Sequence, residues 1–255
     1  MDYQHQAHAA NRSDLIKHLS LLTLRRWPGL ATIWDAFAAA PTTPLNALAP
    51  GRRGLLSALM ASDGPEPVAD LQAILRSCRT PSGAACYPGS SQLLAHFEGV
   101  RKLILTDHNA PCIAAQNDHF HAAAELQIVS RQLDSYRQAE EVLQQGPDLV
   151  FIDPPFLQPQ EWGDVMHLYN DIRRPYPRSR VVLWYPLRED LAVPTVYKRL
   201  PRIQLTVHFD TDQTLKGCAM VFLHFEPELL ALLEPLARWF SESDLLGIRR
   251  VELSG

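Results

Sequence analysis

DLVFIDPPF, from Asp148 to Phe156, is the stretch of sequence that decides the predicted fold. Its run of four apolar residues, bounded by turn-forming residues, is typical of a strand that is buried on both faces. Pro154 and Pro155 end this strand because a proline cannot donate a hydrogen bond to a sheet. The stretch therefore predicts a central strand that leads into an acid, Asp153, and an aromatic ring. In open α/β sheets, ligands bind at that end of the strands.

The composition is that of an ordinary globular protein. Of the 255 residues, 46% are hydrophobic and 20% are charged, and the net charge of −4 argues weakly against a protein that coats nucleic acid. No apolar run approaches the roughly 20 residues of a membrane helix, and we expect no secretory signal. The four cysteines form no Cys-x-x-Cys pair and indicate reduced thiols in the cytoplasm. His119 and His121 lack a nearby cysteine or acidic cluster, so we expect no metal site.

Strands and helices alternate along most of the chain, which predicts a doubly wound α/β fold with a parallel sheet. Strands are predicted at 30–35, 103–107, 126–130, 148–152, 180–186, 203–209 and 218–225. Helices are predicted from Asn11 or Ser13 to about residue 27, where one face is buried, and at 110–124, 136–145, 162–172, 188–200 and 227–247. The last two strands are expected to pair antiparallel, which is the usual arrangement of class I S-adenosylmethionine-dependent methyltransferases.

Residues 42–98 interrupt this alternation and predict a separate helical piece. Near its end, Cys86 to Ser91 predict a turn, and a short apolar helix is predicted to follow through Leu93, Leu94 and Phe97. Ser90 or Ser91 could cap that helix and leave free N–H groups near a ligand, and an ordinary helix start is the alternative.

Four acids, Asp35, Asp107, Asp134 and Asp153, each lie at or just beyond the end of a predicted strand. Because these ends share one edge of a parallel sheet, the four acids are expected to line one crevice. Asp107, at the end of the second strand, could accept hydrogen bonds from both ribose hydroxyls of an adenosyl ligand. Asp134 could accept a hydrogen bond from the adenine amino group of that ligand. Each acid taken alone is better explained as a helix cap or a solvated loop residue, whereas the four acids together with the Asp153-Pro154-Pro155-Phe156 turn favour the adenosyl ligand.

The turn after the central strand indicates chemistry on an amino group, since Asp-Pro-Pro-aromatic turns are the signature of amino-group methyltransferases. An adenine amino group is a poor nucleophile because its lone pair is delocalised into the ring. Hydrogen bonds from its two N–H groups to the Asp153 carboxylate and the Pro154 carbonyl would favour a pyramidal nitrogen. Phe156 would offer a face on which the extruded base stacks.

A set of motifs resembles the RlmJ family, the bacterial 23S rRNA adenine-N6 methyltransferases, over essentially the whole chain. The motifs are Tyr3-x-His5-x-x-His8-Ala9-x-Asn11-x-x-Asp14-x-x-Lys17-His18, Tyr87-Pro88-Gly89-Ser90, Thr106-Asp107, Asp153-Pro154-Pro155-Phe156 and Leu183-Trp184-Tyr185-Pro186. The N-terminal motif is the most specific of these.

The resemblance implies a Rossmann-like class I methyltransferase domain at 1–41 and 99–255, with a small helical insertion at 42–98. It implies S-adenosylmethionine as the cofactor, and it implies ribosomal RNA, naked or partly assembled, as the partner of a cytoplasmic monomer. The residues that it implies as cofactor contacts are Lys17, His18, Asp35, Ser90, Asp107, Asp134 and Ser135. Those that it implies for catalysis are Asp153, Pro154, Phe156, Tyr3 and His5.

The turn after the first strand departs from the family pattern. Where the family has Asp-Thr-His-Ala-Gly-x-Gly, this chain keeps Asp35 but has Phe37, Ala39 and Pro41 in place of the histidine and both glycines. Alanine with positive φ costs on the order of 1 kcal/mol, and proline cannot adopt it. The sequence therefore predicts either that the loop follows another path or that the affinity for the cofactor is reduced or lost. Three hypotheses follow: an active adenine-N6 methyltransferase, a catalytically impaired relative that binds RNA or a protein partner, and a methyltransferase with another amino substrate.

Overall fold

A computed structural model of the chain describes residues 9–121, 125–211 and 213–255. The chain divides into two compact units, Met1–Ser135 and Tyr136–Gly255, which are described one at a time. Among the residues that the structure describes, no helix has both the length and the apolar character that a membrane span requires.

In the residues that the structure describes, the first unit has three parallel strands, a separate antiparallel strand pair and five α-helices. The strands are β1 (Thr32–Asp35), β2 (Thr42–Pro44), β3 (Cys86–Pro88), β4 (Lys102–Asp107) and β5 (Gln127–Gln132), and the helices are α1 (Arg12–Leu22), α2 (Pro50–Ala61), α3 (Glu66–Ser77), α4 (Ser90–Leu94) and α5 (Ala110–Phe120). Strand β4 pairs in parallel with β1 on one side and with β5 on the other, while β2 and β3 pair antiparallel. The parallel pairing confirms the predicted α/β class for this part of the chain.

Helix α1 begins as its sequence predicts and is buried more completely. The side chain of Asn11 caps the helix by accepting a hydrogen bond from the backbone N–H of Asp14. The prediction of a single buried face is wrong, since every residue from Ser13 to Leu22 is buried. Burial of the polar side of the helix brings Asp14, Lys17 and His18 out of water, and such groups are stable there only when they are paired.

The region 42–98 contains the predicted helices, and two local predictions are wrong. Residues 86–88 were expected in a turn and instead form β3, which β2 stabilises by antiparallel pairing. Gly89, and neither Ser90 nor Ser91, is the N-cap of α4, with no side-chain capping hydrogen bond. Glycine is required there because an added Cβ would lie 2.7 Å from the carbonyl oxygen of Ala40.

The second unit combines a parallel strand pair with an antiparallel extension. Its strands are β6 (Leu149–Ile152), β7 (Arg180–Arg188), β8 (Ile203–Phe209), β9 (Leu215–Leu223) and β10 (Ile248–Ser254), and its helices are α6 (Glu140–Leu143), α7 (Glu161–Arg173), α8 (Thr195–Lys198) and α9 (Glu228–Glu242). Strand β6 pairs in parallel with β7, and β9 pairs antiparallel with both β7 and β8. Every residue of β6 is buried, as its apolar run predicts.

The bounds of several elements in this unit differ from the sequence predictions. Helix α6 and helix α8 cover four residues each, much less than the predicted 136–145 and 188–200. Strand β7 continues through Pro186 to Arg188 by pairing with β9, which removes the start of the second of these helices. Helix α9 ends at Glu242, and the unpredicted β10 pairs antiparallel with β8. The apolar residues of β10 alternate with charged ones, which is the pattern of an edge strand.

Candidate active site

The carboxyl ends of the parallel strands in the first unit carry the predicted acids. Asp35 is the last residue of β1 and Asp107 is the last residue of the neighbouring β4. Asp134 follows two residues after Gln132, the end of β5. Because the three strands run in parallel, the structure brings these acids to one edge of the sheet.

Asp35 is fully buried and is held by a residue far away in sequence. Its Oδ2 accepts a hydrogen bond of 2.7 Å from the hydroxyl of Ser90, the first residue of α4. Ser90 was predicted to contact a cofactor, and its hydroxyl is directed to Asp35 instead of being free for a ligand. The contact ties the end of β1 to the start of α4.

Asp107 organises the loop that follows β1. Its Oδ1 accepts from the backbone N–H of Asn109 at 2.7 Å, and its Oδ2 accepts from that of Ala39 at 3.1 Å. The side chain is 13% exposed. Each carboxylate oxygen has two acceptor sites, so one hydrogen bond apiece leaves both oxygens able to accept from the two hydroxyls of a ribose.

Thr106 and Ser135 anchor the start of the same loop. The Ser135 hydroxyl donates to the carbonyl oxygen of Ala36 at 2.6 Å and lies 2.8 Å from the hydroxyl oxygen of Thr106. The indole N–H of Trp34 donates to Thr106. Ser135 was predicted as a cofactor contact, and its buried hydroxyl donates its hydrogen to the loop, so only its oxygen could still accept from a ligand and the contact stays a prediction.

The glycine-poor loop keeps a left-handed residue at the position where the family has its first glycine. Ala39 has φ +45, and its carbonyl oxygen accepts a hydrogen bond of 2.7 Å from the side-chain amide of Gln116. Its N–H donates to Asp107, while the Pro41 carbonyl accepts from the N–H of Gly89. The loop therefore retains a glycine-like backbone at Ala39, at a steric cost on the order of 1 kcal/mol.

Replacing Ala39 with glycine should raise the free energy of unfolding by about 0.5 kcal/mol, because relief of the left-handed strain exceeds the entropy that glycine adds to the unfolded chain. Ala38 is the matched control, since it is buried beside Ala39 and its φ is not positive. Ala38→Gly should lower the free energy of unfolding by about 1 kcal/mol. Urea denaturation of both variants measures the two changes in the free energy of unfolding. An equal loss of stability in both variants would contradict backbone strain at Ala39.

Helix α1 presents a buried cluster built around Asp14. Its Oδ1 lies 2.7 Å from the Lys17 ammonium and 3.5 Å from Nε2 of His18, and its Oδ2 accepts from the N–H of Ala10. His18 Nδ1 is joined to the Tyr87 hydroxyl by a hydrogen bond of 2.7 Å, and the two rings stack at 5.4 Å between centroids. The predicted cofactor residues Lys17 and His18 are thus fixed from α1 and β3 together.

Tyr87 belongs to one of the family motifs but was not predicted as a site residue. Burial raises the pKa of its hydroxyl well above the usual value, and the charge of Asp14 acts in the same direction. The hydroxyl therefore stays protonated at neutral pH and can serve as a donor in the cluster. A tyrosine directly before the Pro-Gly turn was the available signal, but its partner lies 69 residues away.

The structure describes only one of the three remaining predicted residues, Tyr3, His5 and Asp134. Tyr3 and His5 lie outside the described residues. Asp134 is partly exposed after the end of β5, and its proposed contact with an adenine amino group stays a prediction.

The Asp153-Pro154-Pro155-Phe156 turn directly follows β6 in the second unit. Asp153 is partly exposed and Pro154 is buried. Phe156 has φ +47, an uncommon value for a bulky residue, so the turn must be held from outside. Its ring is fully buried, 4.5 Å from Trp162 and 6.5 Å from Trp184 between centroids. The predicted open stacking face is therefore absent at Phe156, because these tryptophans cover the ring.

Glu161, the first residue of α7, fixes this turn. Its Oε2 accepts from the N–H of Phe156 at 3.0 Å, and its Oε1 accepts from those of Leu157 and Gln158 at 2.6 and 3.0 Å. On the other side, the Arg188 guanidinium donates to the Phe156 carbonyl at 3.2 Å while pairing with Asp190. Sequence reasoning missed both residues, although an acid at the start of a predicted helix was a signal for Glu161.

Comparison with known families identifies the relatives of this chain. The family described as "Ribosomal RNA large subunit methyltransferase D, RlmJ" matches residues 52–247, more than half of the chain. The chain belongs to this family. The match confirms membership of the family that the sequence motifs resemble, and the α/β architecture is the Rossmann-like class I methyltransferase fold that the sequence predicts.

A solved structure of low sequence identity shares this fold. The crystal structure of a protein from Legionella pneumophila str. Philadelphia 1 superposes with a TM-score of 0.74 at 16% identity, covering 97% of this chain and 98% of the other. An rRNA methylase from Streptococcus thermophilus superposes with a TM-score of 0.45 at 8% identity, covering 82% of this chain and 97% of that one. Comparison with curated proteins gives no match.

Proposed function

We propose that this member of the RlmJ family is an S-adenosylmethionine-dependent adenine-N6 methyltransferase that acts on ribosomal RNA of the 23S type. The observation that carries the proposal is the turn after β6, an Asp-Pro-Pro-Phe sequence whose backbone is fixed by Glu161 and Arg188. A rigid turn is what the reaction needs, because positioning of the amino group supplies most of the catalysis. Ribosomal RNA, naked or partly assembled, is the proposed partner of a cytoplasmic monomer.

The residues of the first unit fit an adenosyl cofactor in the chemistry of their donors and acceptors. Asp107 has acceptor capacity left on both oxygens for ribose hydroxyls, and Asp134 is a partly exposed acid on the next strand. Lys17, His18 and Asp35 would contribute to holding the rest of the ligand. When bound, S-adenosylmethionine supplies an electrophilic methyl group. The domain boundaries 1–41 with 99–255, and an insertion at 42–98, belong to the same proposal.

At the acceptor turn, Asp153 and Pro154 would act on the target amino group. The carboxylate of Asp153 would accept a hydrogen bond from one N–H of the amino group, and the carbonyl of Pro154 would accept one from the other. The nitrogen would then be pyramidal, with its lone pair directed at the methyl group that it attacks. The negative charge of Asp153 would also stabilise the positive charge that develops on the nitrogen as it is methylated. Phe156 would support the turn through its buried contact with Trp162, whereas base stacking by its ring would require the ring or a neighbour to move.

Incubation with radiolabelled S-adenosylmethionine and 23S rRNA that lacks the modification tests the proposal. We expect label in the RNA, recovered as N6-methyladenosine after digestion to nucleosides. Naked rRNA and partly assembled large subunits should be compared in parallel, because both are candidate substrate forms. Label in another nucleoside would reject the adenine specificity, and no transfer to any substrate would reject the activity.

Replacing Asp107 with alanine should weaken binding of S-adenosylhomocysteine about 10-fold, since two hydrogen bonds to a carboxylate are lost and the Ala39 N–H loses its acceptor. Asp118, on the neighbouring α5, provides the control, and Asp118→Ala should leave the dissociation constant unchanged. Isothermal titration calorimetry measures both. An unchanged affinity in the Asp107 variant, with wild-type binding intact, would remove Asp107 from the proposed cofactor site.

The alternative function is a catalytically impaired relative that binds RNA or a protein partner. The observation that favours it is the loop after β1, where Phe37, Ala39 and Pro41 replace the family's histidine and glycines. Calorimetry with S-adenosylmethionine separates the two candidates. A dissociation constant in the micromolar range supports the enzyme, and the absence of binding at millimolar ligand supports the impaired relative.

A further inference from the structure

Two buried cysteines face each other at the edge of the region 42–98. Cys78 directly follows α3, and Cys86 is the first residue of β3. Their sulfur atoms lie 2.6 Å apart, and both side chains are almost fully buried. Neither residue has a role in the proposed function.

The backbone between the two cysteines is a short closed turn. The N–H of Cys86 donates to the carbonyl of Cys78 at 3.4 Å, and the next pair inward, Arg79 and Ala85, forms an antiparallel bridge. Gly83, with φ +85, allows the chain to reverse direction. The side chains of Cys78 and Cys86 therefore meet because of the backbone pairing, and a bond between them would require only a small adjustment of the side chains.

We propose that Cys78 and Cys86 form a reversible intramolecular disulfide, with a small hydroperoxide as the oxidant. Both thiols are buried, so a small uncharged oxidant reaches them through minor local opening, whereas a bulky disulfide such as oxidised glutathione is excluded. Formation of this disulfide requires neither the cofactor nor RNA, so it does not depend on the proposed function.

The reaction balances with hydrogen peroxide and two thiols. The Cys86 thiolate attacks one peroxide oxygen, the O–O bond breaks, and water leaves once the departing oxygen is protonated, which makes Cys86 a sulfenic acid. The sulfur of Cys78 then attacks the sulfur of Cys86, and a second water molecule leaves as the S–S bond forms. Two thiols are oxidised, one peroxide is reduced to two waters, and a thiol reductant restores the pair.

Either thiol can attack first, and we expect Cys86 to do so. The hydrogen bond from Cys78 lowers the pKa of the Cys86 thiol, and Thr42 and the charge of Arg79 act in the same direction against the opposing effect of burial. The pKa of Cys78 is raised by its hydrogen bond to Cys86 and by burial. A thiolate is the reactive form, so oxidation begins at Cys86 and Cys78 resolves it.

Disulfide formation would also affect the Asp14 cluster on α1, because Cys86 is the chain neighbour of a residue that contacts this cluster. Cys86 directly precedes Tyr87, whose hydroxyl bonds His18. A disulfide would tether the start of β3 to the end of α3 and reduce the freedom of this hairpin in the unfolded chain.

Treatment of the full-length protein with hydrogen peroxide, followed by alkylation and peptide mapping without reductant, tests the inference. We expect a peptide that joins Cys78 to Cys86, an intact mass lower by about two hydrogen atoms, and recovery of both thiols with dithiothreitol. The oxidised protein should also melt about 5 °C higher than the reduced form, since the link restricts the unfolded chain. Cys112 is the internal control, because it is more exposed than either partner while burial and Asp107 raise its pKa to about 11.

Two variants make the order of steps visible. Cys78→Ser should leave Cys86 as a sulfenic acid that dimedone traps, whereas Cys86→Ser should leave Cys78 unmodified at the same peroxide concentration. If wild-type protein loses the Cys112 thiol first and keeps Cys78 and Cys86 alkylatable, the inference is wrong, because simple exposure then governs oxidation.

Discussion

Replacing Asp153 with alanine is expected to lower kcat for RNA methylation by at least about 1,000-fold while leaving the affinity for S-adenosylhomocysteine and the melting temperature close to those of the wild type. The loss is large because Asp153 would supply both a hydrogen bond to the amino group and the charge that stabilises the developing cation. Removing one well-placed polar group of this kind costs about 100- to 1,000-fold in kcat, and Asp153 would combine two such effects. Single-turnover methylation with saturating cofactor gives the rate.

Asp153→Asn separates the two effects. An asparagine carbonyl still accepts one N–H of the amino group, but it carries no charge. We expect a rate about 100-fold below that of the wild type and about 10-fold or more above that of Asp153→Ala. Asp164, an exposed acid on α7, is the control, and Asp164→Ala should keep the full rate.

Two outcomes would reject this role for Asp153. An alanine variant with the wild-type rate would show that the carboxylate does not contact the reacting group. An asparagine variant as slow as the alanine variant would show that charge alone accounts for the effect, so that the hydrogen bond contributes nothing to positioning.

Sequence patterns predicted the parts of the fold that depend on neighbouring residues. The apolar run before Asp153 predicted β6, because a strand buried on both faces needs only consecutive apolar residues. Asn11 predicted the start of α1 for a similarly local reason. The complete burial of α1 was not predictable, because it depends on which other elements cover the polar face of the helix.

The residues of the candidate site also divide into those that the sequence could predict and those that it could not. The acids Asp35 and Asp107 could be located from strand ends, since position along a strand fixes the edge at which a side chain lies. The hydrogen-bond partners of these acids could not be located in the same way, because Ser90 follows Asp35 by 55 residues and Ala39 precedes Asp107 by 68. Such pairs come together only when the whole unit folds, and spacing in the sequence carries no information about them.

Ala39 shows a further limit of the sequence. Alanine in a glycine-rich motif predicted either a different loop or a weakened site, since steric cost alone cannot tell which path the chain takes. The hydrogen bonds that Ala39 forms with Asp107 and Gln116 hold it at φ +45. Tertiary contacts thus overcome a local preference of on the order of 1 kcal/mol.

Glu161→Gln is expected to lower kcat about 100-fold and the free energy of unfolding by about 2 kcal/mol, with the affinity for S-adenosylhomocysteine unchanged. Glutamine has one acceptor oxygen, whereas the N–H groups of Phe156, Leu157 and Gln158 bond both oxygens of Glu161. Its amide nitrogen would face a backbone donor, and hydrogen bonds to charged groups are worth about 1.5 to 3 kcal/mol. The turn would relax from the left-handed Phe156, and a shift of about 1 Å in a positioned group costs on the order of 100-fold in rate.

Glu228, the first residue of α9, separates this positioning role from a general effect on helix stability. Glu228 and Glu161 occupy the same place on their helices, so Glu228→Gln loses the same favourable interaction with a helix N-terminus. We expect Glu228→Gln to cost under about 1 kcal/mol and to leave kcat intact. Glu161→Asp keeps the charge on a shorter side chain, so it should recover part of the rate. If both Glu161 variants are destabilised yet methylate at the wild-type rate well below their melting temperatures, then Glu161 supports only the fold, and the rigidity of the turn does not contribute to methyl transfer.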